Sequence, residues 1–293
     1  MAKAKRVRLD TLLVDRGLFS TRSRAAAAVL AGDVSVNGSC CTKAGTAVDT
    51  EARIDVKTRP AWVSRSAEKL DAGFKTFDMS CSGSVALDVG AGSGGFTQVL
   101  LDRGASKVYA VDVGYGQFDA RLRGDPRLNL MERKNARELT RADIPEPVAF
   151  LTMDVSFISI FLILPVVRGF LTETADGIIL FKPNFEAEKG EVQKGGLLLD
   201  PVIHRRLLTA AVDKFSAARL RLVDIIPSPI RGRDGNVEYL MRVSASAGPT
   251  VEPQSLQSAV DRAFGCFTSS DSTRNFCSKN SNKSKFRRFS REP

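Results

Sequence analysis

The chain has 293 residues, 43% hydrophobic and 26% charged, enough for two packed domains and incompatible with disorder throughout. Its net charge of +10 is uneven: residues 1–60 carry +5, residues 61–244 carry +1 and residues 245–293 carry +4, so a nearly neutral body has basic ends suited to phosphates. A single histidine excludes a His-rich metal site and argues against a Ser-His-Asp triad, and no metal is expected.

The five cysteines (Cys40, Cys41, Cys81, Cys266 and Cys277) have no C-x-x-C spacing and are too few for a disulfide framework in a chain this long, and the adjacent Cys40 and Cys41 read as reduced thiols. The basic N-terminus lacks the apolar stretch of a signal peptide, and the longest apolar run, residues 157–167, is shorter than the ~20 residues that span a bilayer. A cytoplasmic protein without a membrane partner is expected.

Residues 10–17 and 21–31 read as two short helices, the second with Thr21 as its cap and the helix-favouring run AAAAVLA as its body. GDVSVNG at 32–38 has turn residues at both ends of the β-branched Val34 and Val36, as a short strand does, and alternation resumes over 52–56. Arg6, Arg8, Arg16, Arg22, Arg24 and Lys43 cluster around the helix pair, a pattern that serves a solvated face as well as an RNA-binding one. The arrangement over residues 6–58 resembles the small RNA-binding domain named after ribosomal protein S-four, with GDVSVNG as its signature. That resemblance implies that these six cations bind RNA. The domain is expected over 1–59, with a junction at 57–60.

From residue 83 onward, strands are expected at 85–89, 108–113, 128–131, 148–153, 177–181, 220–226 and 237–243, with helix-length segments between most of them. Such alternation predicts an α/β, Rossmann-like domain over 60–244 with a mostly parallel seven-stranded sheet, following the small α+β domain. The last strands are close enough for an antiparallel hairpin at one edge. Residues 245–293 are rich in Ser and Asn and end in a basic run, so a disordered tail is expected there, with some non-specific affinity for RNA.

The first strand of this domain runs into the loop of Gly90, Ala91, Gly92, Ser93, Gly94 and Gly95, and then into a helix from Phe96. Glycines let the backbone turn sharply and approach a ligand where a Cβ would clash, but the same spacing satisfies a dinucleotide fingerprint. Asp112, at the end of the second strand, can accept both ribose hydroxyls of an adenosine, and Asn135 and Ala136 would lie near the adenine. Asp88, at the tip of the first strand, suits an ammonium or sulfonium and sits badly beside a pyrophosphate. That favours S-adenosylmethionine over NAD. Asp154 follows the fourth strand on the carboxyl edge, where open α/β sheets bind ligands.

Four charged residues stand at element ends: Lys69, Asp154, Lys182 and Glu238. Lys69 reads equally well as a surface helix residue, Asp154 as a cap and Glu238 as an edge-strand charge. Lys182 is harder to dismiss, because it ends a buried apolar run just before Pro183.

The segments GDVSVNG, WVSRSAEKL, DVGAGSGGFTQVLLDRGA, VDVGYGQ, DVSFIS, FKPNFE and SPIRGRDGNVEYL, in order over about residues 6–243, resemble the TlyA family of rRNA 2′-O-methyltransferases, also called hemolysin A. That family is related to the FtsJ-type ribose methyltransferases. The resemblance implies a Lys-Asp-Lys-Glu tetrad at Lys69, Asp154, Lys182 and Glu238, methylation of cytidine in rRNA within ribosomal subunits, and S-adenosylmethionine as methyl donor.

A ribose 2′-hydroxyl is a poor nucleophile until its proton leaves, so such an enzyme must align oxygen, methyl carbon and sulfur and supply a base, for which Lys182 is the candidate. The chain departs from the family at Gly92-Ser93 (usually Ser-Thr), Asn184 (usually Gln) and Ser66 (usually Gly), the last two bearing on target choice. Trp62 and Val63 match a family linker motif that would couple RNA docking to cofactor binding. The competing readings are a membrane-active hemolysin and a non-catalytic RNA-binding protein. An NAD-dependent oxidoreductase lacks a hydride-site histidine.

Overall fold

A computed structural model describes residues 6–56 and 62–265. The expected junction at 57–60, Cys266, Cys277 and the basic run at 279–291 lie outside those residues. Contacts divide the chain into two units, 1–61 and 62–293.

The first unit holds the helices α1 (Leu9–Asp15) and α2 (Arg22–Leu30), and the short strands β1 (Arg6–Arg8), β2 (Val34–Val36), β3 (Ser39–Cys40), β4 (Ala47–Asp49) and β5 (Ile54–Val56). β1 pairs with β4, and β2 lies between β3 and β5, all antiparallel. The Thr21 hydroxyl accepts the backbone N–H of Arg24, as the capping pattern requires. Leu9, Leu12 and Leu13 of α1 meet Ala25 and Val29 of α2 and Val34 of β2 in a small core. Asn37 and Gly38 hold positive φ after β2, the backbone that an Asn-Gly hairpin turn demands.

The second unit contains α3 (Ser66–Thr76), β6 (Val85–Val89), α4 (Gly95–Asp102), β7 (Lys107–Val111), β8 (Leu128–Met131), β9 (Val148–Met153), α5 (Leu164–Arg168), β10 (Leu171–Phe181), α6 (Pro201–Ala217), β11 (Arg221–Pro227), β12 (Tyr239–Ser244) and α7 (Pro253–Phe264). Seven strands form one sheet in the order β11-β12-β10-β9-β6-β7-β8. All neighbours are parallel except β12, which runs antiparallel to both β10 and β11. The expected hairpin is therefore present. β12 sits second from the edge, so the edge-strand account of Glu238 does not hold.

Strand alternation assigns the two faces of this sheet. Ala86, Val108, Phe150, Ile178, Leu180 and Leu240 pack under α3 and α4 with Leu70, Phe74, Val99 and Leu100. Leu87, Val89, Leu151, Met153, Ile179, Phe181, Tyr239 and Met241 pack on the other face, with Leu164, Leu208, Phe215 and Val260 of α5, α6 and α7. Each fully buried Leu or Phe contributes about 1.5–3 kcal/mol.

Disorder from residue 245 onward does not hold for 245–265. Leu256, Ala259 and Val260 recur at helical spacing and are buried against the sheet, with Pro253 at the start of α7 and Gly265 at φ +75° after it.

Candidate active site

The carboxyl ends of β6, β7 and β9 and the amino end of β12 open into a cavity of about 620 Å³, all of whose lining residues belong to the second unit. Among the described residues, no group of three or more His, Cys, Asp or Glu is placed to hold a metal ion.

One wall is the glycine loop. Gly90 has φ +83°, and a Cβ there would lie 2.3 Å from the carbonyl oxygen of Asp154, so only glycine permits this close crossing of the β6 and β9 ends. Asp112 stands one residue past β7. Its carboxylate accepts the N–H of Gly92 at 2.7 Å and that of Gly114 at 2.6 Å, which aims it into the cavity. Asn135 and Ala136 line the same wall, not at the end of β8 but four and five residues beyond it. There the Asn135 side chain accepts the Arg137 N–H at 3.1 Å and starts a short 3₁₀ turn.

Four expected cofactor ligands are not on this wall. Asp88 has the strand parity of Ala86 and turns away from the opening, into the layer beneath α4. Its carboxylate accepts the hydroxyls of Thr97 at 2.6 Å and Thr152 at 2.9 Å. Complete burial, reinforced by the negative charges of Asp154 and Asp112, pushes its pKa up to about 7 against the pull of the two hydroxyls. Asp88 thus ties β6 to α4 and β9, and its supposed preference for a sulfonium loses its basis. Gly94 precedes α4 as its N-cap at φ +92°, where a Cβ would strike Leu122 and Phe118, and Gly95 passes against the hydroxyls of Ser64 and Ser66. Phe96 is buried in the core below α4. All three serve packing.

The opposite part of the cavity carries Lys69, Asp154, Lys182 and Glu238. Asp154, Lys182 and Glu238 each stand one residue outside a strand and continue the parity of Thr152, Leu180 and Leu240, so all three fall on the α3 side of the sheet. The register pairs Phe181 with Tyr239 and Ile179 with Met153, which sets the three strand ends side by side. Because β12 runs antiparallel to β10 and β11, its beginning lies beside their carboxyl ends. Lys69 is on the buried stripe of α3 with Leu70, Gly73 and Phe74, not on a surface face.

Two ion pairs result. Lys69 Nζ lies 2.5 Å from Glu238 Oε2, with 10% and 6% of the side chains exposed, and Lys182 Nζ lies 2.6 Å from Asp154 Oδ1. Lys182 directs its hydrogen bond to Ser156 Oγ at 2.9 Å.

Other wall residues carried no role in the sequence pattern. Phe157 is 90% exposed, holds φ +64° and lies 5.2 Å from the ring of Phe185. Ser156 and Phe157 could have been found from their spacing behind Asp154 in DVSFIS. Arg231 and Arg233 also line the cavity, flanking Gly232. His204 is no part of the site: it is buried, its Nε2 donates to the Leu198 carbonyl and its Nδ1 accepts the Tyr239 hydroxyl, both at 3.0 Å. Burial lowers its pKa and keeps it neutral.

In the first unit the six expected RNA-binding cations are exposed, but some have local work. Arg8 and Arg22 pair with Asp10 at 2.7 and 3.4 Å, and Arg16 donates to the carbonyls of Ala52 and Thr50 at 2.8 and 2.5 Å. No helix of the described residues is long and apolar enough to cross a membrane.

Comparison with known proteins matches residues 62–244 to FtsJ-like methyltransferases and residues 7–54 to the S4 domain. The 16S/23S rRNA (cytidine-2′-O)-methyltransferase TlyA of Mycobacterium tuberculosis is 41% identical over 89% of this chain and 98% of its own length. Hemolysin A of Brachyspira hyodysenteriae is 38% identical over 80% of this chain and 98% of its own. A solved chain from Streptococcus thermophilus, described as a hemolysin, is 33% identical, with a TM-score of 0.68 over 90% of this chain and 98% of that one.

Proposed function

We propose, for a chain that belongs to the FtsJ-like methyltransferase family and carries an S4 domain before it, that the reaction is 2′-O-methylation of cytidine in ribosomal RNA with S-adenosylmethionine as donor. What supports the reading is one observation: two Lys–carboxylate pairs share a cavity with a glycine loop whose Gly90 no other residue can replace. The cavity volume suits a nucleoside-sized cofactor.

Gly90, Ala91, Gly92, Asp112, Asn135 and Ala136 would hold the cofactor, Asp112 through the ribose hydroxyls. When bound, it supplies an electrophilic methyl group on a sulfonium. The chain's own residues then have to present a nucleophile. Once its ammonium has released one proton to solvent through the cavity, Lys182 takes up the proton of the ribose 2′-hydroxyl and returns to the charged form that Asp154 pairs with, while Asp154 and Ser156 fix the direction of its amine. Glu238 holds Lys69 beside the centre, where the lysine stabilises negative charge that develops on the attacking oxygen. Phe157, held out from the surface at the mouth, offers a face on which an unstacked base can lie.

Arg6, Arg24 and Lys43 of the S4 domain would grip phosphates, with Arg8, Arg16 and Arg22 doing so from positions their local partners hold. The hemolysin reading has no membrane-spanning helix among the described residues to support it. With ribosomal RNA as substrate, the site of action is the cytoplasm.

The test is transfer of labelled methyl from S-adenosylmethionine to unmodified ribosomal subunits, with Lys182→Ala as control. Label at a cytidine 2′-oxygen that vanishes in the control is the expected result. No transfer to either subunit by a protein shown to bind the cofactor would overturn the reading.

A further inference from the structure

The cations on the cavity wall divide into two groups. Lys69, Lys182 and Lys134 are each neutralised, by Glu238, Asp154 and Asp143 respectively, so none adds a free positive charge to the opening. Arg65, Arg231 and Arg233 are exposed and form no ion pair among the described residues; Arg65 stands alone before α3, whereas Arg231 and Arg233 stand together and do not pair even with Asp234 beside them. Both belong to the connection between β11 and β12, a segment whose only role so far is to precede Glu238.

That connection is built to be stiff. The N–H of Ser228 donates to the carbonyl of Glu238 at 2.8 Å, that of Gly232 to Asn236 at 3.0 Å, and that of Gly235 to Gly232 at 3.0 Å. Asn236 is buried and reaches into the neighbouring segment, accepting the Leu198 N–H and donating to the Gly196 carbonyl, both at 2.9 Å. Arg231 donates one N–H to the Gly235 carbonyl at 3.2 Å, which leaves the rest of its guanidinium free. At the top of the turn, a Cβ on Gly232 would lie 2.7 Å from Glu238 Oε1. The backbone between the two arginines therefore passes directly over the Lys69–Glu238 pair.

An unpaired arginine held by a rigid turn loses little freedom when it binds, and its planar fork matches a phosphate in two-point contact. Placed over the reaction centre, such a pair acts on groups next to the reacting ribose. We infer that Arg231 and Arg233 clamp the RNA phosphates flanking the target nucleotide, so that the methyltransferase domain grips its substrate itself and does not depend on the S4 domain alone. This rests on the reading that the substrate is RNA. The other anion that could meet them is the carboxylate of the cofactor, and the experiment separates the two.

The experiment uses the full chain with unmodified ribosomal subunits. It compares wild type with Arg231→Gln, Arg233→Gln and the double variant, and reads cofactor affinity, the KM and kcat for the subunits, and the salt dependence of subunit binding. The expected result is an unchanged cofactor Kd and a KM raised roughly tenfold per arginine. The slope of log affinity against log salt should flatten by about 0.7–0.9 for each phosphate released from the clamp. Arg231→Lys and Arg233→Lys, which keep the charge, recover most of the salt slope and show that the turn has folded. A wild-type KM and salt slope in the double variant would overturn the clamp, as would a weakened cofactor Kd with the subunit KM unchanged. If wild type itself transfers no methyl, the RNA reading fails and not the clamp specifically.

Discussion

Lys69 and Glu238, separated by 169 residues, meet at 2.5 Å where α3 crosses the beginning of β12. Gly73, one turn further along α3, lies close over the sheet: a Cβ there would stand 3.3 Å from Ile178, tight enough that the isoleucine would have to give slightly. The helix lies so flat on the sheet that a lysine on its buried stripe has no route to bulk water except through the cavity. A carboxylate at the end of that route is what keeps a buried ammonium tolerable.

Removing one partner of this pair is therefore expected to cost stability as well as activity. Glu238→Gln leaves Lys69 with an uncompensated charge and should lower unfolding free energy by about 3–5 kcal/mol in urea titrations. The double variant Lys69→Met with Glu238→Leu should regain most of that stability and none of the methyl transfer. Recovery of activity in the double variant would show the pair to be merely structural.

Lys182→Ala removes the proposed proton acceptor without touching the glycine loop. A loss of roughly 10²–10⁴-fold in the single-turnover rate is expected, with cofactor affinity by calorimetry within about twofold of wild type. Loss of both together would make Lys182 a fold residue.

Phe157 separates stability from function in the opposite direction. Its φ of +64° is a conformation that favours glycine, so Phe157→Gly should be neutral or slightly stabilising, by about 1 kcal/mol at most. The same change removes the exposed ring at the mouth and should raise the KM for RNA, since stacking on an aromatic side chain is worth about 1–3 kcal/mol per base. An unchanged KM would leave the ring without a part in RNA binding.

Asp88 predicts a pH signature. Its pKa is raised in the folded protein to about 7 from an ordinary value of 3.8, so between those values the folded state binds a proton that the unfolded state has released. Its contribution to stability is thus fully present below about pH 4 and is lost as pH rises through 7, on the order of 4 kcal/mol across the window. Asp88→Asn should flatten this fall in denaturant titrations at pH 5 and pH 8. An equally steep loss in the variant would assign the slope to other groups.

Much of the molecule was legible in the residues themselves. The short apolar runs VALDV, VAFLTM and IILF, the glycines after β6 and the Thr21 cap are local signals, and they marked the succession of strands along the chain and the edge at which open α/β sheets bind ligands. So did Lys182, because a lysine that ends a buried strand before a proline has few places to go. The motif resemblance supplied the tetrad where pattern alone left Lys69, Asp154 and Glu238 with ordinary explanations.

Other features depended on packing between distant segments. Asp88 and Asp154 look alike in sequence, each near the carboxyl end of a parallel strand. One carries the parity of Ala86 while still inside its strand, and is sealed under α4 by Thr97 and Thr152; the other stands one residue past its strand and faces Lys182. Residues 245–265 read as tail, yet α7 is held by apolar side chains whose partners lie on the sheet. A two-part α/β protein with its chemistry at one sheet edge follows from local propensity and period, which specify the way a strand points its side chains. Which of those side chains stays open to a ligand is set by what packs above them, and that depends on helices far away in the chain. For the charges at this edge, it took the packed fold to pair Lys69 with Glu238, to seal Asp88 away, and to leave Arg231 and Arg233 facing the cavity without a counter-ion.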